Sequence, residues 1–310
     1  MGRIIITATG LLVAATLGTI AQAQPQGPLA RMMMQRMMAK ADPNKAPESP
    51  PKQTIAYGRD AMQNLDFTPA AGATRPAPLV VFVHGGGWSN GNKDNGTGAW
   101  KAPHYTGLGY AFASINYRLV PAATVEDEAQ DVASALAKLI ADADRLGIDR
   151  RRIVLMGHSA GAHLVALVGT DETYLQRAGL SFGALAGVIP LDGAAYDVPR
   201  QMAQAGNFMA GRYDQAFGTD PARKKALSPL FHAAAPNAPH FLLLYVGRAD
   251  GVAQARALAD ALTRAGTPVQ QHLFGGSGLI GHMTINRRMG DPAYEATPVV
   301  DAWLKQVFAG

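Results

Sequence analysis

From residue 79 onward, short apolar runs alternate with helix-length segments, and this alternation leaves few folds open. The runs are "LVVFV" (79–83), "AFASINY" (111–117), "RIVLMG" (152–157), "AGVIPLD" (186–192), "FLLLYVG" (241–247) and "VQQHLF" (269–274), each bounded by turn residues. Continuous apolar strands of this length are covered on both faces, as in a parallel sheet. One intervening segment places Val125, Ala129, Val132, Leu136, Leu139 and Ile140 at helical spacing behind an acidic first turn (Glu126, Asp127, Glu128). Thr124 and Asp127 have capping-box spacing, and Gly147 closes the helical stretch. The pattern predicts an α/β fold, with a mostly parallel central sheet and helices on both faces. No internal repeat is visible. Residues 193–238 break the alternation and are predicted to form a short helical lid insertion, not a separate domain.

The N-terminus bears on location. Arg3 is followed by apolar Ile4–Ile20 and then Ala21-Gln22-Ala23, the pattern of a secretory signal peptide over residues 1–23. The apolar stretch is short and Gly/Thr-rich for a permanent span. The expectation is a periplasmic or secreted product with no stable membrane insertion after cleavage. Residues 24–52 read as a Met/Pro-rich linker preceding a domain over 53–310. Within the linker, "RMMMQRMM" (31–38) offers soft sulfur ligands for Cu(I). A short amphipathic helix docking on the domain or a membrane surface accounts for it as well. The 28 Lys+Arg against 23 Asp+Glu are spread along the chain, so nucleic acid is not an expected partner. The chain has no cysteine, which excludes disulfides, a thiolate nucleophile and a Cys-ligated metal. Oligomeric state leaves no mark in the sequence.

Two motifs carry chemistry. Gly157-His158-Ser159-Ala160-Gly161 fits G-x-S-x-G between the strand "RIVLM" and the helix "AHLVALVG". A strand running straight into a helix strains the residue at the joint, and the flanking glycines let neighbouring elements pass closely. Such a turn lifts the Ser159 hydroxyl above the sheet, with a helix N-terminus behind it. A serine that only turns the corner is the alternative. The second motif is "VFVHGGGWSNG" (81–91), three glycines behind His84 after a strong strand. Gly85 and Gly86, beside Ala160, are the candidate backbone donors of an oxyanion hole. No Lys-Ser/Thr follows as in a P-loop, and no G-x-G-x-x-G opens a helix.

With "INYRL" (115–119), "GHSAGAHL" (157–164), "VGRADG" (246–251) and "GHM" (281–283), the chain resembles the α/β-hydrolase carboxylesterases that bear an HGGG motif. The similarity runs over about residues 55–308 and is nearest the hormone-sensitive-lipase-like, acetyl- or feruloyl-esterase-like and arylformamidase-like branches. The resemblance implies an α/β-hydrolase fold and a serine carboxylesterase acting on small-molecule esters through an acyl-enzyme, with no cofactor or metal. In that family the triad follows the order Ser, acid, His. The implied members are Ser159, Asp250 just beyond "FLLLYVG", and His282 in the loop after "VQQHLF", with Asp192 after "GVIPL" the chief rival for the acid. Trp88 and His158 are candidates for the substrate pocket, though an aromatic after a glycine loop suits a core equally well. His163 is expected to pack or to position a neighbour. The resemblance suggests that Asn116, Tyr117 and Arg118 brace the HGGG loop. Asp127 and Asp131 are expected to cap and solvate their helix, with contact to substrate or to Arg118 the alternative. Two other readings stand beside the esterase: an arylformamidase-like amide hydrolase, toward which "GHSAGAHL" leans, and a non-catalytic binding protein. A binder needs neither nucleophile, base, acid nor oxyanion hole, and candidates for all four are present.

Overall fold

In a computed structural model of the chain, the described residues are 46–73 and 76–309. The expected signal peptide, the methionine cluster at 31–38 and the linker through residue 45 lie outside the described residues. Among the described residues, no helix is long and apolar enough to cross a membrane.

Eight strands of the described residues build one sheet: β1 (Gln53–Ala56), β2 (Asn64–Thr68), β3 (Ala77–Val83), β4 (Ala111–Ile115), β5 (Ile148–His158), β6 (Gly187–Leu191), β7 (Phe241–Gly247) and β8 (Val269–Ser277). Their spatial order is β1-β2-β4-β3-β5-β6-β7-β8. Strands β3 to β8 pair in parallel, and β1 and β2 add an antiparallel edge. The six apolar runs fall in β3 to β8, whereas β1 ("QTIA") and β2 ("NLDFT") have no counterpart among the expected strands. They are short, and β2 hides its pattern behind a buried carboxylate. Asp66 is ion-paired to Lys52 at 2.5 Å and Lys93 at 3.1 Å. Burial pushes the Asp66 carboxyl up, but these lysines and Thr54 hold it below its ordinary value.

Among the described residues, eight helices have seven residues or more: α1 (Lys101–Gly107), α2 (Val125–Ala141), α3 (Ala160–Thr170), α4 (Val198–Gln204), α5 (Asn207–Phe217), α6 (Ala249–Arg264), α7 (Gly278–Arg288) and α8 (Ala296–Val307). Every residue of β3 is buried because its alternate side chains enter two different cores. Leu79, Val81 and Val83 belong to one core with Val132 and Leu136 of α2, Leu164 and Leu167 of α3, and Leu258 of α6. Val80 and Phe82 belong to the other, with Tyr105 of α1, Ile285 of α7 and Trp303 and Leu304 of α8. Each fully buried side chain of this kind contributes roughly 1.5–3 kcal/mol. Helix α2 begins where its capping box predicts: Asp127 N donates to Thr124 Oγ1 at 3.2 Å, and Thr124 N donates to Asp127 Oδ2 at 2.9 Å. It ends at Ala141, and a separate one-turn helix, Ala143–Leu146, is the one that Gly147 terminates, at φ 67°.

Residues 193–238 fold into α4, α5 and two shorter helices, Pro221–Ala226 and Pro229–His232. The Asp-Pro at 220–221 starts the third of these, with the Asp220 carboxylate accepting from Ala222 N and Arg223 N. Arg223 then forms a two-pronged pair with Glu126 at 2.7 Å on each oxygen, fastening this segment to the start of α2.

One buried group on α2 gives a stability prediction. Glu128 is fully buried, and neither of its carboxyl oxygens has a hydrogen bond of normal geometry among the described residues. Burial pushes this carboxyl well above its ordinary value, against a weaker pull from the Val120 backbone. The folded protein therefore keeps a proton that the unfolded chain releases above about pH 4.3, so this group's contribution to stability falls as pH rises. Glu128→Gln removes the titration. Thermal melts from pH 5 to pH 8 are expected to show the parent losing ground to the variant by up to about 1.4 kcal/mol per pH unit. Parallel Tm–pH curves would contradict a protonated Glu128.

Candidate active site

Strand β5 passes into α3 with Ser159 as the only residue between them, at φ 57° and ψ −117°. A left-handed backbone at a non-glycine residue costs about 1–3 kcal/mol and persists only where the surroundings enforce it. Here the surroundings are two glycine contacts. A Cβ on Gly157 would lie 2.2 Å from Gly161 O, and one on Gly161 would lie 2.2 Å from Val83 O. The turn needs both positions bare so that α3 can sit against the ends of β3 and β5.

His282 lies on the other side of the serine, with Nε2 3.0 Å from Ser159 Oγ and Nδ1 2.5 Å from Asp192 Oδ2. The serine, imidazole and carboxylate form one continuous chain of hydrogen bonds. His282 is the fifth residue of α7, so the expected loop after β8 is a helix at this point. Helix α7 is tied to the segment after the glycine loop through Lys101 of α1, whose buried Nζ donates to Thr97 O (2.7 Å), Asn286 O (2.5 Å) and Asn286 Oδ1 (2.8 Å). His158 Nε2 donates to His282 O at 2.9 Å, and burial pushes its imidazole well down, so the ring is neutral.

The acid beside His282 is Asp192, not the expected Asp250. Asp192 follows the last residue of β6 with φ 43°, and its N donates to Leu244 O at 2.6 Å. That turn puts its fully buried carboxylate beneath the imidazole. Oδ1 accepts from Val246 N at 3.2 Å, and Oδ2 accepts from Arg248 Nε at 2.8 Å. Burial pushes the Asp192 carboxyl up, but the His282 hydrogen bond and the Arg248 charge outweigh it and hold the group below its ordinary value. Asp250 lies in the first turn of α6, where it accepts from Gln201 Nε2 (3.1 Å) and Arg248 Nη1 (3.4 Å) and has no hydrogen bond to His282.

Gly85, Gly86 and Ala160, the candidate oxyanion donors, belong to the glycine loop and to the first turn of α3. Gly85 lies close enough that a Cβ there would be 2.9 Å from Ser159 Cβ. Gly86 takes φ 140°, and a Cβ on it would overlap Asn90 O. Ala160 N is the first amide of α3, without an intrahelical partner. None of the three N–H groups donates to a protein acceptor among the described residues.

The two pocket candidates are buried supports. His158 is 3% exposed and holds the His282 carbonyl. Trp88 is 2% exposed, packed against Tyr213 and Phe217 of α5, and its Nε1–H donates to His163 Nδ1 at 3.3 Å. His163 Nε2 donates in turn to Leu227 O at 2.8 Å, and burial pushes this imidazole down to about 4. Glycine loop, elbow helix and insertion thus share one aromatic cluster. Tyr117 OH donates to His84 O at 2.8 Å with the two rings stacked, and Asn116 Oδ1 accepts from Lys93 N. Asp131, expected in solvent, is buried and held bidentately by Arg118 at 2.8 and 2.9 Å. Arg248 did not figure among the candidates. Its signal was a cation directly after the apolar strand β7.

The family model BD-FAE matches residues 65–259. Among curated proteins, "Probable carboxylic ester hydrolase LipM" of Mycobacterium tuberculosis (strain ATCC 25618 / H37Rv) is 30% identical over 250 residues, covering 74% of this chain and 57% of its own. "Esterase LipC" of the same strain is 35% identical over 119 residues, covering 38% and 29%. These matches span from under a third to just over half of the relatives' own length. Among solved structures, esterase B from Lactobacillus rhamnosis (HN001) superposes with a TM-score of 0.70 at 21% identity, over 91% of each chain. A butyrate-bound esterase, Est2 of Thermogutta terrifontis, gives 0.66 at 22% identity over 84% of this chain and 96% of that one. At these identities the likeness concerns the fold, which is the α/β-hydrolase fold.

The two carboxylates are separable by mutation. Asp192→Asn is expected to lower kcat by about 10³–10⁴-fold while leaving the far-ultraviolet dichroism intact. Asp250→Asn is expected to lower it by less than about tenfold, since that side chain acts only through Arg248. The reverse ranking would move the acid role to Asp250.

Proposed function

The chain belongs to the BD-FAE family, and from that premise we propose that it is an exported carboxylic ester hydrolase working through an acyl-Ser159 intermediate on small-molecule esters. The observation that carries this reading is the unbroken Ser159–His282–Asp192 chain of hydrogen bonds beside three uncommitted backbone N–H groups. A binding protein gains nothing from a strained serine held 3.0 Å from an imidazole.

The chemistry follows from the geometry. As Ser159 Oγ bonds to the ester carbonyl carbon, its proton passes to His282 Nε2, and Asp192 stabilises the imidazolium and holds its tautomer. The carbonyl oxygen becomes an oxyanion within reach of the Gly85, Gly86 and Ala160 N–H groups, backed by the N-terminus of α3. A donor of this kind is worth about 10²–10³ in kcat. The intermediate collapses with cleavage of the bond to the alcohol oxygen, and His282 gives its proton to that oxygen. Water then repeats the sequence, with His282 as base, and releases the acid and free Ser159.

Export is proposed from the N-terminal sequence: Arg3, the apolar stretch and Ala21-Gln22-Ala23. The test uses the whole chain expressed in a bacterial host. The active extracytoplasmic form is expected to begin at Gln24 by mass and to hydrolyse p-nitrophenyl acetate. Ser159→Ala is expected to lower that rate by about 10³–10⁶-fold. Equal rates in the parent and Ser159→Ala would overturn the acyl-enzyme, and an active form that retains residues 1–23 would overturn the export reading. Faster turnover of an N-formyl arylamine than of any small ester would reassign the substrate class to formamides.

A further inference from the structure

The carboxylate that orients His282 is shared. Asp192 Oδ2 accepts from His282 Nδ1 and, on its other side, from Arg248 Nε. The same guanidinium donates through Nη2 to Asp192 O at 3.3 Å and to Gly193 O at 3.2 Å, the latter the first carbonyl of the insertion. Through Nη1 it reaches Asp250 Oδ2 at 3.4 Å, and Asp250 Oδ2 also accepts from Gln201 Nε2 at 3.1 Å. Gln201 is buried on α4. A continuous polar path therefore runs from Ser159 through His282, Asp192, Arg248 and Asp250 to a helix of the insertion.

We propose that Arg248 is a positioning residue that divides the Asp192 carboxylate between itself and His282, and that Asp250 and Gln201 make this division depend on how α4 is seated. This inference rests on the ester-hydrolase reading of the Ser159 site. A carboxylate partly neutralised by a guanidinium stabilises an imidazolium less than an unshared carboxylate does. The shared arrangement therefore weakens the carboxylate's hold on an imidazolium at His282. Asp250 opposes this by drawing Arg248 charge away from Asp192. The two substitutions therefore have effects of opposite sign.

Other groups facing the pair leave this charge balance to Arg248 and Asp250. His158 from β5 lies with its ring 4.4 Å from that of His282, and burial keeps it neutral. Burial pushes Tyr196 and Tyr294 up, the latter to about 12, so both phenols near Asp192 stay protonated. Tyr213 of α5, near Asp250 and Arg248, is likewise pushed up to about 12 by burial. Lys101 lies behind His158, committed to Thr97 and Asn286.

The experiment is the kcat/KM–pH profile with p-nitrophenyl acetate from pH 5 to pH 9, for the parent, Arg248→Gln, Arg248→Lys and Asp250→Asn. Arg248→Gln is expected to move the acid limb up by about one pH unit. Asp250→Asn is expected to move it down by roughly a few tenths of a unit, because its carboxylate is partly solvated. Arg248→Lys retains the cation and is expected to lie between the parent and Arg248→Gln. A purely structural role would lower rates without moving the limb, and an unmoved limb overturns the proposal, as does movement in the same direction for both charge removals. If Arg248→Gln does not fold, the downward shift in Asp250→Asn decides the question alone. Ser159→Ala run alongside separates the two levels. Turnover that does not depend on Ser159 overturns the hydrolase reading and this inference with it, whereas Ser159-dependent turnover with an unmoved limb overturns this inference only.

Discussion

The close approach of α3 to the ends of β3 and β5 is the contact on which the site depends. With Gly161 against the Val83 carbonyl and Gly157 against Gly161 O, no side chain fits between helix and sheet. The chain must then reverse within one residue, and Ser159 takes a left-handed backbone to do it. The cost of that conformation, about 1–3 kcal/mol, is offset by the burial of every residue of α3 in the core. Chemistry and packing are coupled here: the same turn that seats the helix lifts Oγ toward His282 and leaves the Ala160 amide free.

Around this point the protein spends buried polar groups to hold positions rather than to meet substrate. His158 fixes the His282 carbonyl, Lys101 fixes α7 at Asn286, and Tyr117 fixes the glycine loop at His84. Trp88 and His163 link that loop to the insertion. Each of these groups is desolvated, and each is matched by donors or acceptors, which is the condition under which buried polar groups do not destabilise a fold. The triad thus sits among elements with little freedom to shift, as electrostatic preorganisation requires.

Much of this was legible in the sequence because it follows from short-range rules. The six apolar runs that became β3 to β8 needed only length and double burial, and the elbow needed a strand, a G-x-S-x-G and a helix in succession. The acid was not legible. Asp192 and Asp250 both follow apolar strands, β6 and β7, that are neighbours in the sheet, so chain order alone does not choose between them. The choice is made by the backbone of Asp192 at φ 43° and by Arg248, which occupies the space between the two carboxylates. Trp88 and His158 were misplaced for a related reason: proximity to a motif does not say which face of the loop a ring lies on. Asp131 pairs with Arg118 from the preceding loop, the alternative that stood beside solvation, because helical spacing alone does not say whether a carboxylate on that face meets a cation from another element.

The central claim is that Ser159 is a nucleophile activated by His282 and Asp192. Covalent labelling with a p-nitrophenyl phosphonate ester, followed by intact mass and peptide mapping, tests it most directly, because the adduct records which oxygen attacked. The account predicts one adduct per chain, located on Ser159 and formed on the order of 10³-fold more slowly in Asp192→Asn. An adduct elsewhere, no adduct, or unchanged labelling in Asp192→Asn would contradict it.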